Sequence, residues 1–349
     1  MVKIYAVGGY DEVGKNCTAL EVGNEAVLFD LGIHLDSYIK YTEDEDIVNI
    51  NANELMKVGA VPDISVLKDI NVKAIIVTHA HLDHCGAIPY LANKFGVPII
   101  CSPYTAEVIK AILRDEEIKI NNKIIVLNAG SSYRISKDIK VEFVNMTHST
   151  PQTVMAVVHT KNGKVLYAND FKFDRFPVLG KKPDFKRMKE LGKEGVLAAI
   201  VDSTYSSSES KMPSESVAKQ MLKDVLLGVD SVGKAVIVTT FASHLARLKS
   251  IIEIGKKLNR KIVFLGRSLA KYVEAGENIG LVNFSKEVEI VKYGSKIKKR
   301  LKKIEEKGSE KYLLVVTGHQ GEPKSTLSKM ANSDIFKFRK EDHVIFSCR

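Results

Sequence analysis

The segment Thr78-His79-Ala80-His81-Leu82-Asp83-His84 packs four metal-ligand side chains into six positions, directly behind the apolar run Ala74-Ile75-Ile76-Val77. A chain with this pattern has to end a buried strand at a sheet edge and turn there into a helix, for which Cys85-Gly86-Ala87-Ile88 supplies the start. His79 and His81 alternate, so an extended backbone projects both rings to one face. Asp83 and His84 follow the bend, where they reach a second ion a few ångströms away. Imidazole nitrogen and carboxylate oxygen suit zinc, and both bind it only when deprotonated. The competing reading, a polar surface loop, leaves this density of ligand types unexplained.

Such a cluster needs partners from elsewhere in the chain. His148 follows the apolar stretch that ends in Val144-Asn145-Met146-Thr147, and Asp170 closes Val165-Leu166-Tyr167-Ala168-Asn169. Both fall at strand ends, where a sheet holds ligands to close tolerance. Each oxygen of the Asp170 carboxylate can hold one cation, which suits it to bridge two. Alone, His148 reads as an ordinary histidine and Asp170 as a turn residue; the cluster decides otherwise.

The first half is strand-rich. Strands are expected at 4–7, 18–22, 26–31, 72–78, 98–101, 123–127, 139–146, 153–160 and 164–168, with helices at 86–95 and 104–113. Residues 34–69 read as irregular, and the acidic patch Glu43-Asp44-Glu45-Asp46 as a solvated loop. After about residue 205 the rhythm becomes βαβ: helix 213–227, strand 235–239, helix 243–258, strand 261–265. That alternation predicts a parallel sheet covered by helices. The join falls at Ser206-Ser207-Ser208-Glu209-Ser210-Lys211, giving domains at 1–206 and 207–349.

At 349 residues the chain has material for two cored domains, and no apolar run approaches a membrane span. The four cysteines are scattered, which argues for reduced thiols and a cytoplasmic location rather than a disulfide framework. Net charge is +10. For a metal hydrolase this points to an anionic substrate, nucleic acid above all; a generally Lys-rich surface of a heat-adapted protein is the alternative. Residues 292–311 carry nine Lys/Arg against three Glu, with Ile297, Leu301 and Ile304 at helical spacing. That helix buries one face and presents cations on the other, as a solvated face or an RNA-contacting ridge.

The ordered set Asp30 in Leu28-Phe29-Asp30-Leu31-Gly32, the 79–84 cluster, His148 and Asp170 resembles the metallo-β-lactamase fold family across the first 205 residues. In the second half, Ala198-Ala199-Ile200-Val201-Asp202-Ser203-Thr204-Tyr205 and Thr317-Gly318-His319-Gln320-Gly321-Glu322-Pro323 are similar to motifs of β-CASP nucleases. The Gln-Gly-Glu-Pro run, Phe241-Ala242-Ser243-His244 and Leu265-Gly266-Arg267-Ser268 resemble ribonuclease J segments of the archaeal type. His319 stands where the bacterial form usually has serine.

The resemblance implies an α/β architecture: a metallo-β-lactamase αββα sandwich followed by an α/β β-CASP domain with a mainly parallel sheet. It implies two zinc ions, one held by His79, His81, His148 and Asp170, the other by Asp83, His84 and Asp170, with Asp30 supporting the cluster. It implies RNA hydrolysis by hydroxide generated at the metals, 5′→3′ exonucleolytic on 5′-monophosphorylated RNA, with endonuclease action and a homodimer left open. Asp83 would orient the nucleophile, Asp202 would organise groups near the metals, and His319 would contact phosphate or donate a proton to the leaving oxygen. Ser243 and Arg267 would grip the 5′-phosphate; the plainer roles are a helix N-cap for Ser243 and a surface ion pair for Arg267.

Family members return to the hydrolase domain after the insertion and carry there a further histidine motif and a seventh ligand. Val344-Ile345-Phe346-Ser347-Cys348-Arg349 looks like the start of that return, and no histidine follows His343. Two other readings therefore stand beside the exonuclease: an RNA 3′-end-processing endonuclease of the β-CASP group, and a non-catalytic RNA-binding protein.

Overall fold

Continuous apolar runs become strands buried on both faces, and alternating ones become strands with one buried face. The computed structural model describes residues 1–42, 50–322 and 324–348, with sixteen strands among them; those at 236–239 and 312–316 are buried throughout, and those at 198–201 and 343–346 alternate. The acidic patch at 43–46, Pro323 and Arg349 lie outside the described residues. The chain divides into two compact units, Met1–Phe173 with Lys181–Lys211, and Asp174–Gly180 with Met212–Arg349.

The first unit holds two sheets. One has the order β1 (Val2–Gly8), β2 (Cys17–Val22), β3 (Glu25–Phe29), β4 (Val72–Val77), β5 (Ile99–Cys101) and β6 (Ile124–Val126); it is antiparallel up to β3 and parallel beyond. The second comprises β7 (Ser132–Arg134), β8 (Lys140–Asn145), β9 (Val154–Thr160), β10 (Gly163–Ala168) and β11 (Ala198–Val201), ordered 11-10-9-8-7. Alternate residues of the two sheets meet in one apolar core: Leu20, Val27, Phe29 and Ile76 from the first, Phe143, Val158, Val165 and Tyr167 from the second. Phe29 and Tyr167 stack with centroids 4.5 Å apart, tying the two layers together near the strand ends that carry the ligands. On the far side of the second sheet, Met188 and Leu191 of helix Phe185–Glu194 cover Met146, Met155 and Val157.

Local features differ from the sequence expectation, beginning with strands β7 and β11, which were not among those expected. The stretch expected to be irregular contains helices Leu35–Thr42 and Ala52–Lys57, the latter capped by Asn51, whose side chain accepts from the N–H groups of Asn53 and Glu54. The single helix expected at 86–95 is two short helices, Leu82–Cys85 and Ile88–Leu91, followed by a tight turn. Pro89 opens the second because it lacks the N–H an uninterrupted helix would need. The first begins inside the ligand cluster, so Asp83 and His84 sit on its opening turn. Helix Phe185–Glu194 escapes a hydrophobicity scan because only Phe185, Met188 and Leu191 are apolar; its start is marked by Asp184, which accepts from the Arg187 N–H.

The second unit is a five-stranded, wholly parallel sheet in the order 14-13-15-12-16: β12 (Val236–Thr239), β13 (Lys261–Leu265), β14 (Glu289–Val291), β15 (Tyr312–Val316) and β16 (His343–Phe346). Helices Leu245–Lys257, Arg267–Asn278, Gly294–Lys307 and Thr326–Asn332 connect successive strands. Ile297, Leu301 and Ile304 of the basic helix are buried against the sheet, as their spacing predicts. Because every strand runs the same way, the segments after β12, β13 and β15 emerge at one edge, and these three strands are neighbours.

Candidate metal centre

Two groups of donors converge at the strand ends of the first unit: His79, His81, His148 and Asp170, and Asp83, His84 and Asp170. Within each group the ligand atoms lie within 4.8 Å of one another. His79 Nε2 is 3.2 Å from His81 Nδ1, and His148 Nε2 is 3.1 Å from that same atom. Asp170 Oδ2 stands 3.7 Å from His79 Nε2, 3.5 Å from His148 Nε2 and 3.6 Å from His84 Nε2. Asp83 Oδ2 is 3.5 Å from His84 Nε2. Ligands about 2.1 Å from a tetrahedral ion stand about 3.4 Å apart, so the first group has the spacing of a four-coordinate shell. The Asp170 oxygen belongs to both groups.

The outer nitrogens explain why the inner ones face each other. Asp30 is fully buried and held at φ 61°. It accepts from the Thr78 N–H at 2.8 Å and from the Thr78 hydroxyl at 3.0 Å. With its proton committed to Asp30, the Thr78 hydroxyl accepts from His79 Nδ1 at 3.1 Å, which leaves the His79 Nε2 lone pair pointing inward. His84 Nδ1 donates to Asp30 Oδ2 at 2.8 Å, with the same result for its Nε2. Ser149 Oγ lies 3.0 Å from His81 Nε2, so His81 offers Nδ1 instead. Lone pairs of His79 and His81 directed at each other across 3.2 Å repel unless a cation lies between them. The donor set fits a metal ion, with an outer shell that fixes each imidazole tautomer.

Electrostatics agree. Burial pushes the His79 imidazole well below its ordinary value, aided by the neighbouring His84, His81 and His148. Burial and His81 bring His148 down to about 3. Both are neutral ligands at neutral pH. At His84 burial acts the same way, but Asp83, Asp30 and Asp170 overcome it and hold its proton well above the usual range. Carboxylates that attract a proton so strongly attract a metal ion in its place. Asp83 and Asp170 stay ionised against the effect of burial, chiefly through His84.

Sequence reading missed the groups that clamp the 82–84 turn. Asn16 donates from its backbone N–H to the Asp83 carbonyl at 3.0 Å and from Nδ2 to the same oxygen at 3.0 Å; Nδ2 also lies 3.1 Å from His84 Nε2. Its Oδ1 accepts from Asn169, next to Asp170, at 3.0 Å. The one signal in the sequence is a polar residue standing immediately before the buried strand β2. From the other side, Leu31 N–H donates to the His84 carbonyl and Ile33 N–H to that of Leu82. Gly32 lies between them so close to Asp83 that a Cβ there would come within 1.5 Å of its carbonyl oxygen. Ser149 was likewise unremarked.

The remaining candidates have separate settings. Asp202, at the end of β11, accepts from the Thr204 N–H at 2.8 Å and its hydroxyl at 2.6 Å, closing a tight turn. It is in neither donor group. Ser243, Arg267 and His319 follow β12, β13 and β15 and so share one edge of the parallel sheet. Ser243 is buried but is not the N-cap of the following helix: that role falls to His244, whose Nδ1 accepts from the Arg247 N–H. Arg267 is exposed at the first turn of its helix, in no ion pair among the described residues. The His319 ring packs edge-on against Phe241 at 3.8 Å, both ring nitrogens lack a hydrogen-bond partner among the described residues, and burial lowers its basicity.

Removing Asp30 is the direct test of the outer shell. Asp30→Ala is expected to weaken divalent-metal affinity roughly 10- to 100-fold, measured by competition with a chromophoric chelator. An affinity equal to the wild type would refute the role given to the carboxylate.

Residues 10–212 match the metallo-beta-lactamase superfamily and residues 233–349 the ribonuclease J, beta-CASP domain. Over 99% of its length the chain is 45% identical to ribonuclease J of Methanocaldococcus jannaschii, covering 78% of that protein. The chain belongs to the ribonuclease J family. It is 43% identical to ribonuclease J of Pyrococcus abyssi, covering 77% of it, and 32% identical to ribonuclease J 1 of Streptococcus pyogenes, covering 58%. A crystal structure of a protein of unknown function from Enterococcus faecalis V583 superposes over 100% of this chain and 88% of its own, with a TM-score of 0.63 at 15% identity; this likeness concerns the fold alone. The two ribonuclease J domains are thus a sandwich bearing a His/Asp metal cluster and a parallel α/β sheet. No helix among the described residues is long and apolar enough to cross a membrane.

Proposed function

We propose that this chain hydrolyses RNA phosphodiesters from the 5′ end, with one zinc ion in each donor group and Asp170 shared between them. Membership of the ribonuclease J family makes it a metal-dependent ribonuclease. The observation that carries the finer reading is the Asp170 oxygen, 3.5–3.7 Å from three histidine nitrogens of two donor sets. When bound, the divalent ions lower the pKa of a water and offset charge gathering on the phosphoryl oxygens. The chain's own groups do the rest. Asp83, ionised and partly exposed, orients the nucleophile. Asp30, Thr78 and Asn16 keep the imidazoles in register, and Asp202 holds the turn after β11. With four free cysteines the protein suits the cytoplasm.

For the 5′-monophosphate we propose Ser243, Arg267 and His319. Their support is a shared sheet edge of the kind where parallel α/β sheets bind ligands, together with a guanidinium in no ion pair and a histidine with no hydrogen-bond partner at either nitrogen among the described residues. The decisive experiment pairs zinc analysis with digestion of 5′-end-labelled RNA. Two zinc ions per chain and release of labelled mononucleotides are expected; one ion or none, or labelled fragments, would overturn the reading. Wild type should prefer 5′-monophosphorylated over 5′-hydroxyl RNA, and Arg267→Ala should reduce that preference roughly 10-fold or more. Equal preference in both proteins would remove Arg267 from the pocket.

A further inference from the structure

Edge strand β14 and the helix Gly294–Lys307 enclose an open groove of ≈ 380 Å³ on the second unit. Five of its lining side chains are cationic (Lys292, Lys296, Lys299, Arg300, Lys303) and one, Glu289, is acidic. Glu289 is already bound on both oxygens by Arg300, at 2.7 Å each. Lys296, Lys299 and Lys303 form no ion pair among the described residues. With Arg300 they occupy i, i+3, i+4 and i+7, so a single helix face presents all four along about 10 Å. At the groove's head Tyr293 is 53% exposed, with the ammonium groups of Lys292 and Lys296 5.8 and 5.7 Å from its ring centroid.

Helix energetics do not account for this arrangement. The helix macrodipole favours acids in the first turn and bases in the last. Here the first turn holds no acid, the start has no side-chain cap, and Glu305 and Glu306 lie near the C-terminal end. Buried Ile297, Leu301 and Ile304 hold the helix in place in spite of its charges. A cationic row that opposes local stability, beside an exposed aromatic ring, is what a single-stranded polyanion with stackable bases requires.

We propose that this groove binds single-stranded RNA, with Tyr293 stacking on a base and Lys296, Lys299 and Lys303 contacting successive phosphates. The site is built entirely from residues 289–303, none of which belongs to the donor groups; its head, Lys292 and Tyr293, follows β14 and so emerges at the same sheet edge as Ser243, Arg267 and His319. The inference rests on RNA being the substrate, and it concerns how the chain holds RNA rather than how it cleaves it.

The test is fluorescence anisotropy of a labelled 30-nucleotide single-stranded RNA against the full chain in EDTA, across a salt series. The triple variant Lys296→Gln, Lys299→Gln, Lys303→Gln should bind roughly 10-fold more weakly and lower the slope of log affinity against log salt by about 2. Tyr293→Ala should weaken binding roughly 5- to 100-fold, and Tyr293→Phe should restore it, because stacking needs the ring and not the hydroxyl. Exposed lysine-to-glutamine changes leave the buried helix face intact, and the Tyr293 pair provides a second, independent arm. Wild-type affinity and slope in the triple variant, with wild-type affinity in Tyr293→Ala, would overturn the groove alone. A wild-type chain that binds no RNA would overturn both this inference and the nuclease reading. Polyglutamate displacing RNA at equal charge concentration would overturn the RNA assignment in favour of an acidic protein segment.

Discussion

Asp170→Ala is expected to reduce RNA hydrolysis by roughly 10³-fold or more and to lower the divalent metal bound per chain. The carboxylate oxygen is the shared point of both donor groups, so its loss opens both shells at once. Metal stabilisation of a phosphoryl transition state is worth several kcal/mol, and each ~1.4 kcal/mol is a decade in rate. Asp170 sits at φ 55°, a conformation that alanine adopts at a cost of about 1 kcal/mol. Asp170→Asn separates the two effects, because asparagine tolerates that backbone and lacks only the charge. Both variants should therefore fail, with asparagine retaining the wild-type thermal transition of the metal-free chain. Single-turnover cleavage of labelled RNA alongside elemental analysis reads the result. Undiminished cleavage with unchanged zinc content in Asp170→Asn would remove Asp170 from the centre.

Gly32→Ala should be as damaging, though it removes nothing. The added Cβ would meet the Asp83 carbonyl oxygen at 1.5 Å, its carbon at 2.1 Å and the His84 nitrogen at 2.8 Å. All three are backbone atoms, so no rotamer change relieves the clash. Hydrogen bonds from Leu31 to His84 and from Ile33 to Leu82 hold the two segments together on either side. Either the 82–84 turn moves, carrying two ligands with it, or the 30–33 loop does, carrying Asp30. A loss above about 4 kcal/mol is expected, together with most of the zinc. Urea unfolding in EDTA measures the first and elemental analysis the second. A denaturation midpoint and a zinc content both equal to wild type would show that the close approach is not required.

Much of this was legible in the sequence, for identifiable reasons. Parallel strands buried on both faces are unbroken apolar runs, so β4, β12 and β13 stand out. His79, His81, Asp83 and His84 stand out because ligand types rarely cluster directly after such a run. Illegible were the groups whose part depends on tertiary proximity. Asn16 meets Asp83 and His84 only because β2 begins at the edge where β4 gives way to the ligand turn. Gly32 looks like any loop glycine until the Asp83 carbonyl is placed against it. Ser243 reads as a helix cap from its position, yet the backbone hands that role to His244 one residue later. The helices Ala52–Lys57 and Phe185–Glu194 were hidden for a different reason. Their apolar faces are short, and their starts are fixed by capping side chains, Asn51 and Asp184, rather than by periodicity.

The clamp around the ligand turn also sets the order in which the centre comes into being. Its parts lie at positions 16, 30–33, 79–84, 148–149 and 169–170, so contacts span more than 150 residues of chain. A ribosome has to release the whole of β10 before Asp170 and Asn169 can close on the turn. Contacts so remote in sequence form late, after the loops between them have been closed. The full donor set therefore closes only in the finished sandwich, and an emerging chain that stops short of residue 170 carries its histidines without the carboxylate that joins the two groups.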